Sequence, residues 1–259
     1  MEKGILRENM GLDDKFNFLC HRGLSCFTQC CRKINILLTP YDILRMKNQL
    51  NISSTEFLKQ YTLFSMGGKF GLPVIMLRSK DDGSCPFLRD DGCSIYEARP
   101  WSCRSYPLGR SAKKDKDKFE ISYYLIKEPC CLGFDEKKQW TVSEWRKDQG
   151  IEIYDEMNDL FMEFTFDERI QGGKLDTKRL DMFFMTCYDL DKFRRFIWET
   201  KFLDTFELED EFINKIKNDD VELMKLGFDW LKFSLLAQKT LKVKESVLKE
   251  KRKSRKLRS

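Results

Sequence analysis

The sequence predicts an α+β fold in which a small cysteine-rich N-terminal domain with short strands precedes an all-helical C-terminal unit. Two observations support this prediction. Nine of the ten cysteines lie between Cys20 and Cys131, and only Cys187 follows them. Apolar and aromatic residues recur at helical spacing through much of the second half. With 259 residues and 41% hydrophobic content, the chain can build one large or two small cores.

Capping patterns place the helix starts of the first half. Thr39 is followed directly by a proline and, three residues after the threonine, by Asp42. This pattern predicts a helix from Thr39 to about Leu50. A serine with glutamate three residues later predicts a second, short helix that starts at Ser53. Three apolar runs are predicted to be strands: residues 34–38, 74–77 and 119–126.

The second half carries the pattern of a helical packing unit. Thr141 and Glu144 form a further capping box, and aromatic residues then recur three and four positions apart. Cys187 falls within one of these apolar stripes, so we interpret it as a small buried hydrophobic residue and not as a ligand. We therefore place the cysteine-cluster domain at residues 1–150 and the helical extension at residues 151–259.

The helical extension ends in a basic tail from about residue 239. Residues 239–259 contain ten Lys or Arg and two Glu, a net charge of +8 against +5 for the whole chain. Because no aromatic residues are interleaved for base stacking, we interpret the tail as a solvated terminal helix. It is the only segment suited to a nucleic acid. No stretch approaches the ~18 apolar residues of a membrane span, so none is expected.

The cysteines are predicted to be reduced metal ligands. The N-terminal residues before Cys20 alternate charge with short apolar pieces and lack the apolar core of a secretory signal, which predicts a cytoplasmic protein. Neighbouring Cα atoms lie ~3.8 Å apart, below the usual disulfide span of ~4.4–6.8 Å. Cys30 and Cys31 are therefore poorly placed to form a disulfide with each other, and so are Cys130 and Cys131. Their thiolates can instead serve one metal centre or two.

The cysteines fall into three blocks, at residues 20–31, 85–103 and 130–131. Thiolates without a carboxylate or histidine at ligand spacing select zinc, Cu(I) or iron–sulfur centres. Eight cysteines would fill two four-thiolate sites or hold two clusters if the ninth is a bystander. Basic residues near the cysteines are candidates for offsetting the negative charge of such a centre. They are Arg22, Arg32, Lys33, Arg89, Arg99, Arg104 and Arg110.

The first two blocks resemble the motifs of a known family. The first reads Cys20, Cys26 and Cys30-Cys31, followed by Leu-Thr-x-x-Asp at residues 38–42. The second reads Cys-Pro-Phe-Leu at 85–88, Gly-Cys-Ser-Ile-Tyr-Glu at 92–97 and Arg-Pro-x-x-Cys-Arg-x-Tyr-Pro at 99–107. Over roughly residues 18–150 the chain closely resembles the YkgJ-type cysteine-cluster family, which is described as a zinc- or iron-chelating domain and often labelled an iron–sulfur oxidoreductase.

The resemblance implies eight cysteine ligands and either an iron–sulfur cluster, which we prefer, or zinc as the cofactor. The family's closing cysteine precedes a small residue and glycine, which favours Cys131 over Cys130. The family's common form has two residues between its first two cysteines, whereas five separate Cys20 from Cys26. His21 in this longer loop is an alternative ligand. The implied ligands are Cys20, Cys26, Cys30, Cys31, Cys85, Cys93, Cys103 and Cys131.

Three functions fit this interpretation. The first is a redox-related metal- or cluster-binding protein with an unidentified electron-transfer or protein partner. The second is an oxidoreductase or a protein-modifying enzyme, since a flagellin lysine N-methylase resembles this family in its cysteine block; no glycine-rich nucleotide loop supports it. The third is a structural zinc module that supports a helical partner-binding unit. A Ser–His–Asp hydrolase is disfavoured, because the chain has one histidine and no G-x-S-x-G motif.

Overall fold

A computed structural model describes residues 4–67, 71–115, 118–172 and 175–256, with the backbone alone for residues 171 and 251–256. Short strands in small sheets and a helical C-terminal half confirm the predicted α+β class. The strands are β1 Gly4–Met10, β2 Lys15–Asn17, β3 Thr62–Gly67, β4 Leu72–Leu77, β5 Leu88–Arg89, β6 Gly92–Cys93, β7 Leu108–Asp115, β8 Lys118–Lys127 and β9 Gln139–Thr141. The helices are α1 Pro40–Leu50, α2 Ser54–Tyr61, α3 Trp101–Ser105, α4 Val142–Asp148, α5 Glu152–Thr165, α6 Glu168–Gln171, α7 Thr177–Cys187, α8 Leu190–Glu199, α9 Phe202–Thr205, α10 Asp210–Ile216, α11 Asp220–Leu236 and α12 Glu245–Lys256. Two of the three predicted strands lie within β4 and β8, but the prediction for residues 34–38 is wrong, because this segment forms only the isolated bridge between Leu37 and Met76.

The chain divides into two compact units, each built from more than one segment. The first comprises Met1–Asn51, Lys59–Ser65 and Val74–Asp159. The second comprises Ile52–Leu58, Met66–Pro73 and Leu160–Ser259. The three cysteine blocks all belong to the first unit, and the remaining cysteine belongs to the second. The domain limit at residue 150 stays a prediction.

A three-stranded antiparallel sheet, in the order β1-β8-β7, supports the first unit. β8 pairs with β7 in continuous register and with β1 through two register shifts. Buried residues of this sheet pack with side chains of β2 and α4 in one hydrophobic cluster, where Phe18 makes an edge contact with Trp145 at 5.5 Å between ring centroids. Because Phe18 lies two residues before Cys20, the cluster fixes the point at which the first cysteine block begins.

Helix starts in the first unit follow the predicted capping patterns. α1 begins after Thr39, whose hydroxyl accepts the backbone N–H of Asp42 while the Asp42 carboxylate accepts the N–H of Thr39 at 2.8 Å. The same reciprocal arrangement joins Thr141 and Glu144 at the start of α4. These side chains satisfy amide groups that a first helical turn leaves without intrahelical partners.

The second unit has a helical core rich in aromatic rings. Among the packed rings of α5, α7, α8 and α11, Phe164 stacks on Phe183 and Phe193 stacks on Trp230, both at 5.6 Å between centroids. Cys187 in α7 is fully buried, at 0% exposure. Its location confirms the interpretation of this cysteine as a small hydrophobic residue.

The basic tail forms the terminal helix α12, as the sequence predicts. Lys249 Nζ lies 3.3 Å from Oε2 of Glu245, one turn earlier on this helix. Residues 257–259 of the predicted tail lie outside the described residues. Within the part of the chain described above, no helix is both long enough and apolar enough to cross a membrane.

Candidate metal centre

Backbone hydrogen bonds tie the first cysteine block to the other two. The amide of Leu19 donates to the carbonyl of Gly133 at 3.0 Å, which places Cys20 beside the third block. At the other end of the first block, the carbonyl of Cys31 accepts the amide of Cys85 at 2.8 Å. These two ties bring three sequence-distant blocks into one region of the first unit.

The second block folds so that backbone amides point at its sulfur atoms. The Cys85 thiol accepts hydrogen bonds from the amides of Phe87 and Leu88. The Cys93 thiol accepts one from the amide of Ile95. Burial raises the pKa of both thiols, and these amide donors, which stabilise a charged sulfur more than a neutral one, act against that rise. This block therefore provides donors for thiolates before any metal binds.

Cys103 is positioned by α3, whose first residue, Trp101, is held at both of its N–H groups. The Trp101 backbone N–H donates to Asp42 Oδ1 at 2.7 Å. Its indole Nε1 donates to Asp155 Oδ1 at 2.8 Å. Burial raises the pKa of Asp42 to about 6, although the amides of Trp101 and Thr39 act in the opposite direction. One buried carboxylate thus caps α1 and fixes the helix that carries Cys103.

Two further hydrogen bonds to sulfur join the third block to its neighbours. The amide of Leu132 donates to Cys26 Sγ at 3.3 Å. The Tyr106 hydroxyl accepts the amide of Glu128 at 3.1 Å and is also hydrogen-bonded to the Cys131 thiol. A hydrogen bond to a ligand atom is a common device for orienting and tuning a metal site.

We expect Gly133→Ala to disturb the contact between the first and third blocks. A methyl group here would lie 2.7 Å from the Phe18 ring and 2.9 Å from the Leu19 carbonyl oxygen, closer than side chains normally approach. The backbone must therefore shift, at a cost of about 1–3 kcal/mol, seen as a lower urea midpoint. Gly4→Ala is the control, because no described atom lies within 4 Å of a methyl group added there. Equal midpoints for the two variants would contradict the expected clash.

Crowding of sulfur atoms changes the thiol pKa values. Partial desolvation of the sulfur and three neighbouring thiols raise the pKa of Cys20 to about 11. Burial and a different set of thiols raise the pKa of Cys103 to about 12. The pKa of Cys30 falls to about 7, chiefly because its thiolate accepts a hydrogen bond from Cys31, whose own pKa is raised well above the usual range. Thiols with raised pKa values are protonated at neutral pH, so a metal ion must displace their protons.

The predicted basic residues divide into two groups. Arg99 faces the thiols and acts to lower the pKa of both Cys20 and Cys93. Arg104 instead donates to the Glu97 carbonyl at 2.7 Å, and Arg110 pairs with an aspartate at 2.6 Å. Some of these basic residues thus lie where they offset thiolate charge, while others stabilise the fold through hydrogen bonds and ion pairs.

Cys130 and His21 lie at the edge of the cysteine cluster. Cys130 is exposed and is an electrostatic neighbour of Cys131. His21 Nδ1 accepts the Gly23 amide at 3.1 Å, and Nε2 lies 3.5 Å from a Glu136 carboxylate oxygen. Both ring nitrogens of His21 therefore have partners that a ligand role would displace.

As placed, the thiols are neighbours but do not enclose an ion. Among the residues described, no group of three or more His, Cys, Asp or Glu side chains could hold a metal ion. Cys30 Sγ and Cys31 Sγ lie 3.9 Å apart. Binding therefore requires side-chain rotation or small backbone shifts. The donor chemistry itself, thiols with amide donors and a nearby guanidinium, fits zinc or an iron–sulfur centre.

The sequence did not identify several groups around the sulfur atoms. The amide donors belong to the backbone and therefore have no residue signature. Lys80 acts to lower the pKa of Cys85 but lies outside the cysteine motifs that drew attention. Tyr106 lies three residues after the second block, and the bond from its hydroxyl to Cys131 in the third block could not be read from the sequence. Only the folded chain reveals such contacts between blocks.

Comparison with known proteins identifies the cysteine region. A family model named CxxCxxCC, with the description "Putative zinc- or iron-chelating domain", matches residues 19–132. The matched segment contains all three cysteine blocks. The match ends at residue 132, whereas the resemblance predicted from the sequence extends to about residue 150. No curated protein and no solved structure matches the chain.

Proposed function

We propose that the protein is a redox-related iron–sulfur protein, because residues 19–132 match the CxxCxxCC model of a zinc- or iron-chelating domain. When bound, such a centre supplies a reversible one-electron couple. The chain supplies the thiolates, orients them with amide donors and offsets their charge with Arg99. The proposed ligands are Cys20, Cys26, Cys30, Cys31, Cys85, Cys93, Cys103 and Cys131.

The observation that carries this proposal is the set of hydrogen bonds donated to sulfur. Amides reach Cys26, Cys85 and Cys93, and the Tyr106 hydroxyl bonds to Cys131. Ordinary buried cysteines need no such donors, because a neutral thiol is a weak acceptor. Donors to sulfur are a principal means by which proteins stabilise thiolate centres and set their potentials.

Electron transfer to a protein partner is supported by the exposure of the cluster. Cys30 is exposed, so a partner can approach close to the proposed centre. We place the protein in the cytoplasm, where thiols remain reduced and available to metals. Oxidoreductase catalysis and protein modification are further candidates.

A structural zinc module is the second candidate, and one observation favours it. No residue from Leu19 to Leu37 is buried, although the segment is ordered by turns. A segment without a hydrophobic core gains most from a closed metal site. In this alternative, bound zinc would stabilise the first unit and the helical unit would bind a partner.

Metal analysis of anaerobically purified protein distinguishes these candidates. An iron–sulfur protein is expected to be brown, to contain iron and acid-labile sulfide, and to bleach reversibly with dithionite. Cys103→Ser is expected to lose at least half of the bound metal, whereas buried Cys187→Ser retains the wild-type amount.

Three results would decide against the iron–sulfur proposal in different ways. Colourless protein with stoichiometric zinc would favour the structural module. Absence of both elements at meaningful occupancy would contradict metal binding altogether. Metal loss from Cys187→Ser, with a far-ultraviolet circular dichroism spectrum that matches wild type, would show that the ligands are wrongly assigned.

A further inference from the structure

We propose that the first unit binds an acidic amphipathic helix of a protein partner on the solvent-facing side of strand β4. Four apolar residues, which we call the docking face, line this side: Leu37, Leu63, Val74 and Met76. All four belong to the first unit. Recognition of the helix requires the sheet alone, whereas the identity of its owner as the electron-transfer partner rests on the proposed function.

Backbone pairing aligns three of these side chains in one row. Leu37 pairs with Met76 in an antiparallel bridge on one side of β4. On the other side, β3 is the neighbour of β4, and the amide of Arg78 donates to the carbonyl of Tyr61 at 2.8 Å. Strands joined by so short a connection run antiparallel, so two residues further into the hairpin Leu63 lies opposite Met76. The row therefore crosses three extended segments.

The row faces solvent because side chains alternate along a strand. Burial in β4 alternates residue by residue, and Ile75 and Leu77 on either side of Met76 are both buried. Met76 therefore points to the opposite side of the sheet. Beside it, Leu37 is 58% exposed and Leu63 is 48% exposed. Single exposed leucines are common on protein surfaces, but a contiguous apolar row is typical of an interaction surface.

The docking face has the width of one α-helix. Neighbouring strands lie ~4.8 Å apart, so the outer two of three extended segments are separated by ~10 Å. An α-helix with its side chains is ~10–12 Å across. A helix whose apolar residues recur three and four positions apart therefore presents a stripe that matches this face.

Charge beside the docking face favours an acidic occupant. Residues 19–37, which lead into the row at Leu37, contain three Lys or Arg and no Asp or Glu. Lys33 and Arg78 are exposed at the end of the sheet nearer the cysteine blocks. The guanidinium of Arg78 is held beside β3 by a hydrogen bond to the Thr62 carbonyl at 2.8 Å. Carboxylates that flank the apolar stripe of a helix would meet these cations.

The docking face continues into chain segments that carry two cysteines. The amide of Leu77 donates to the Ile36 carbonyl at 2.9 Å and, further along, the amide of Cys85 donates to the Cys31 carbonyl at 2.8 Å. Leu37 follows Cys31 by six positions, which span at most ~22 Å. A helix bound to the docking face is therefore held close to the first and second cysteine blocks.

Synthetic helices test the proposal on the full chain. The probe is a peptide of about 15 residues with leucines three and four positions apart and glutamates flanking them, and a matched peptide carries lysine in place of glutamate. Fluorescence anisotropy is expected to show about tenfold tighter binding of the glutamate peptide. Leu63→Ser is expected to weaken that binding about tenfold. Leu12→Ser, at a leucine that is 47% exposed outside the docking face, should leave it unchanged.

Wild-type protein provides a readout that does not depend on any variant. In nitrogen-15 nuclear magnetic resonance spectra, the glutamate peptide is expected to shift the amide signals of residues 36–38, 62–65 and 74–78. The signals of β1 and β2 should not move. Shifts confined to other residues would overturn the proposed docking face.

The remaining outcomes also decide against the proposal. Equal binding of the two peptides would contradict an acidic occupant, and equal binding to Leu63→Ser and Leu12→Ser would contradict the docking face. A wild-type dimer that Leu63→Ser dissociates, seen by sedimentation, would assign the face to a second copy of the chain. Binding to anionic lipid vesicles that Leu63→Ser abolishes would assign it to a membrane surface. The proposed function fails separately, if anaerobically purified protein holds neither iron nor zinc.

Discussion

Asp155→Ala is expected to destabilise the first unit by about 3–5 kcal/mol, the usual cost of removing one partner from a buried charge network. The Asp155 carboxylate accepts Arg146 Nη2 at 2.8 Å and the Trp101 indole at 2.8 Å, and it lies 3.9 Å from Arg110 Nε. Its side chain is 6% exposed, and that of Arg110 is 9% exposed. Truncation leaves Arg146 and the Trp101 indole without this partner and leaves Arg110 with Asp159 alone. The loss of stability is measured as a lower urea midpoint.

Asp159→Ala is the matched control, one helical turn further along α5. Asp159 also pairs with Arg110, at 2.6 Å, but its side chain is 42% exposed. An ion pair with one partner this exposed contributes about 1 kcal/mol or less. Because Trp101 starts the helix that carries Cys103, Asp155→Ala should also release metal to a chelator faster than Asp159→Ala does. Similar urea midpoints and release rates for both variants would contradict this account.

The sequence predicted elements where local chemistry decides the structure. Thr39 and Thr141 begin helices because each capping box is complete within four residues, and the structure contains both. Cys187 was assigned to an apolar stripe by spacing alone, and it is buried. Such predictions depend on neighbouring residues, which the sequence displays directly.

The network around Trp101 could not be predicted, because its members are distant in sequence. Asp42 was identified as a helix cap, but its second contact is with a residue 59 positions away. Asp155 is one acidic residue among 42 and has no pattern that distinguishes it. The candidate site divides in the same way: the residue types of the ligands were visible in the sequence, whereas the amides and the hydroxyl that bond to sulfur were not.

Metal removal is expected to loosen the first cysteine block selectively. From Leu19 to Leu37 no residue is buried, and the only helical turn is the 3-10 segment Gln29–Cys31. With no fully buried residue, the segment depends for its stability on turns and, under the proposed function, on its bound metal. Structural zinc contributes about 10–16 kcal/mol in small peptides, so loss of metal should be felt most strongly here. Amide hydrogen exchange in residues 19–37 is expected to accelerate about a hundredfold or more after chelation, as followed by mass spectrometry.

The second unit provides the internal control for this experiment. Helix α11 buries nine residues, including Leu223, Phe228 and Leu231, and its stability needs no thiolate. Its exchange should change less than threefold when metal is removed. Equal acceleration in α11 and in residues 19–37 would mean that the metal stabilises the whole chain and not this block. Unchanged exchange in residues 19–37 after verified metal loss would mean that the turns suffice without it, and the thiolates would then have a role other than holding the block in place.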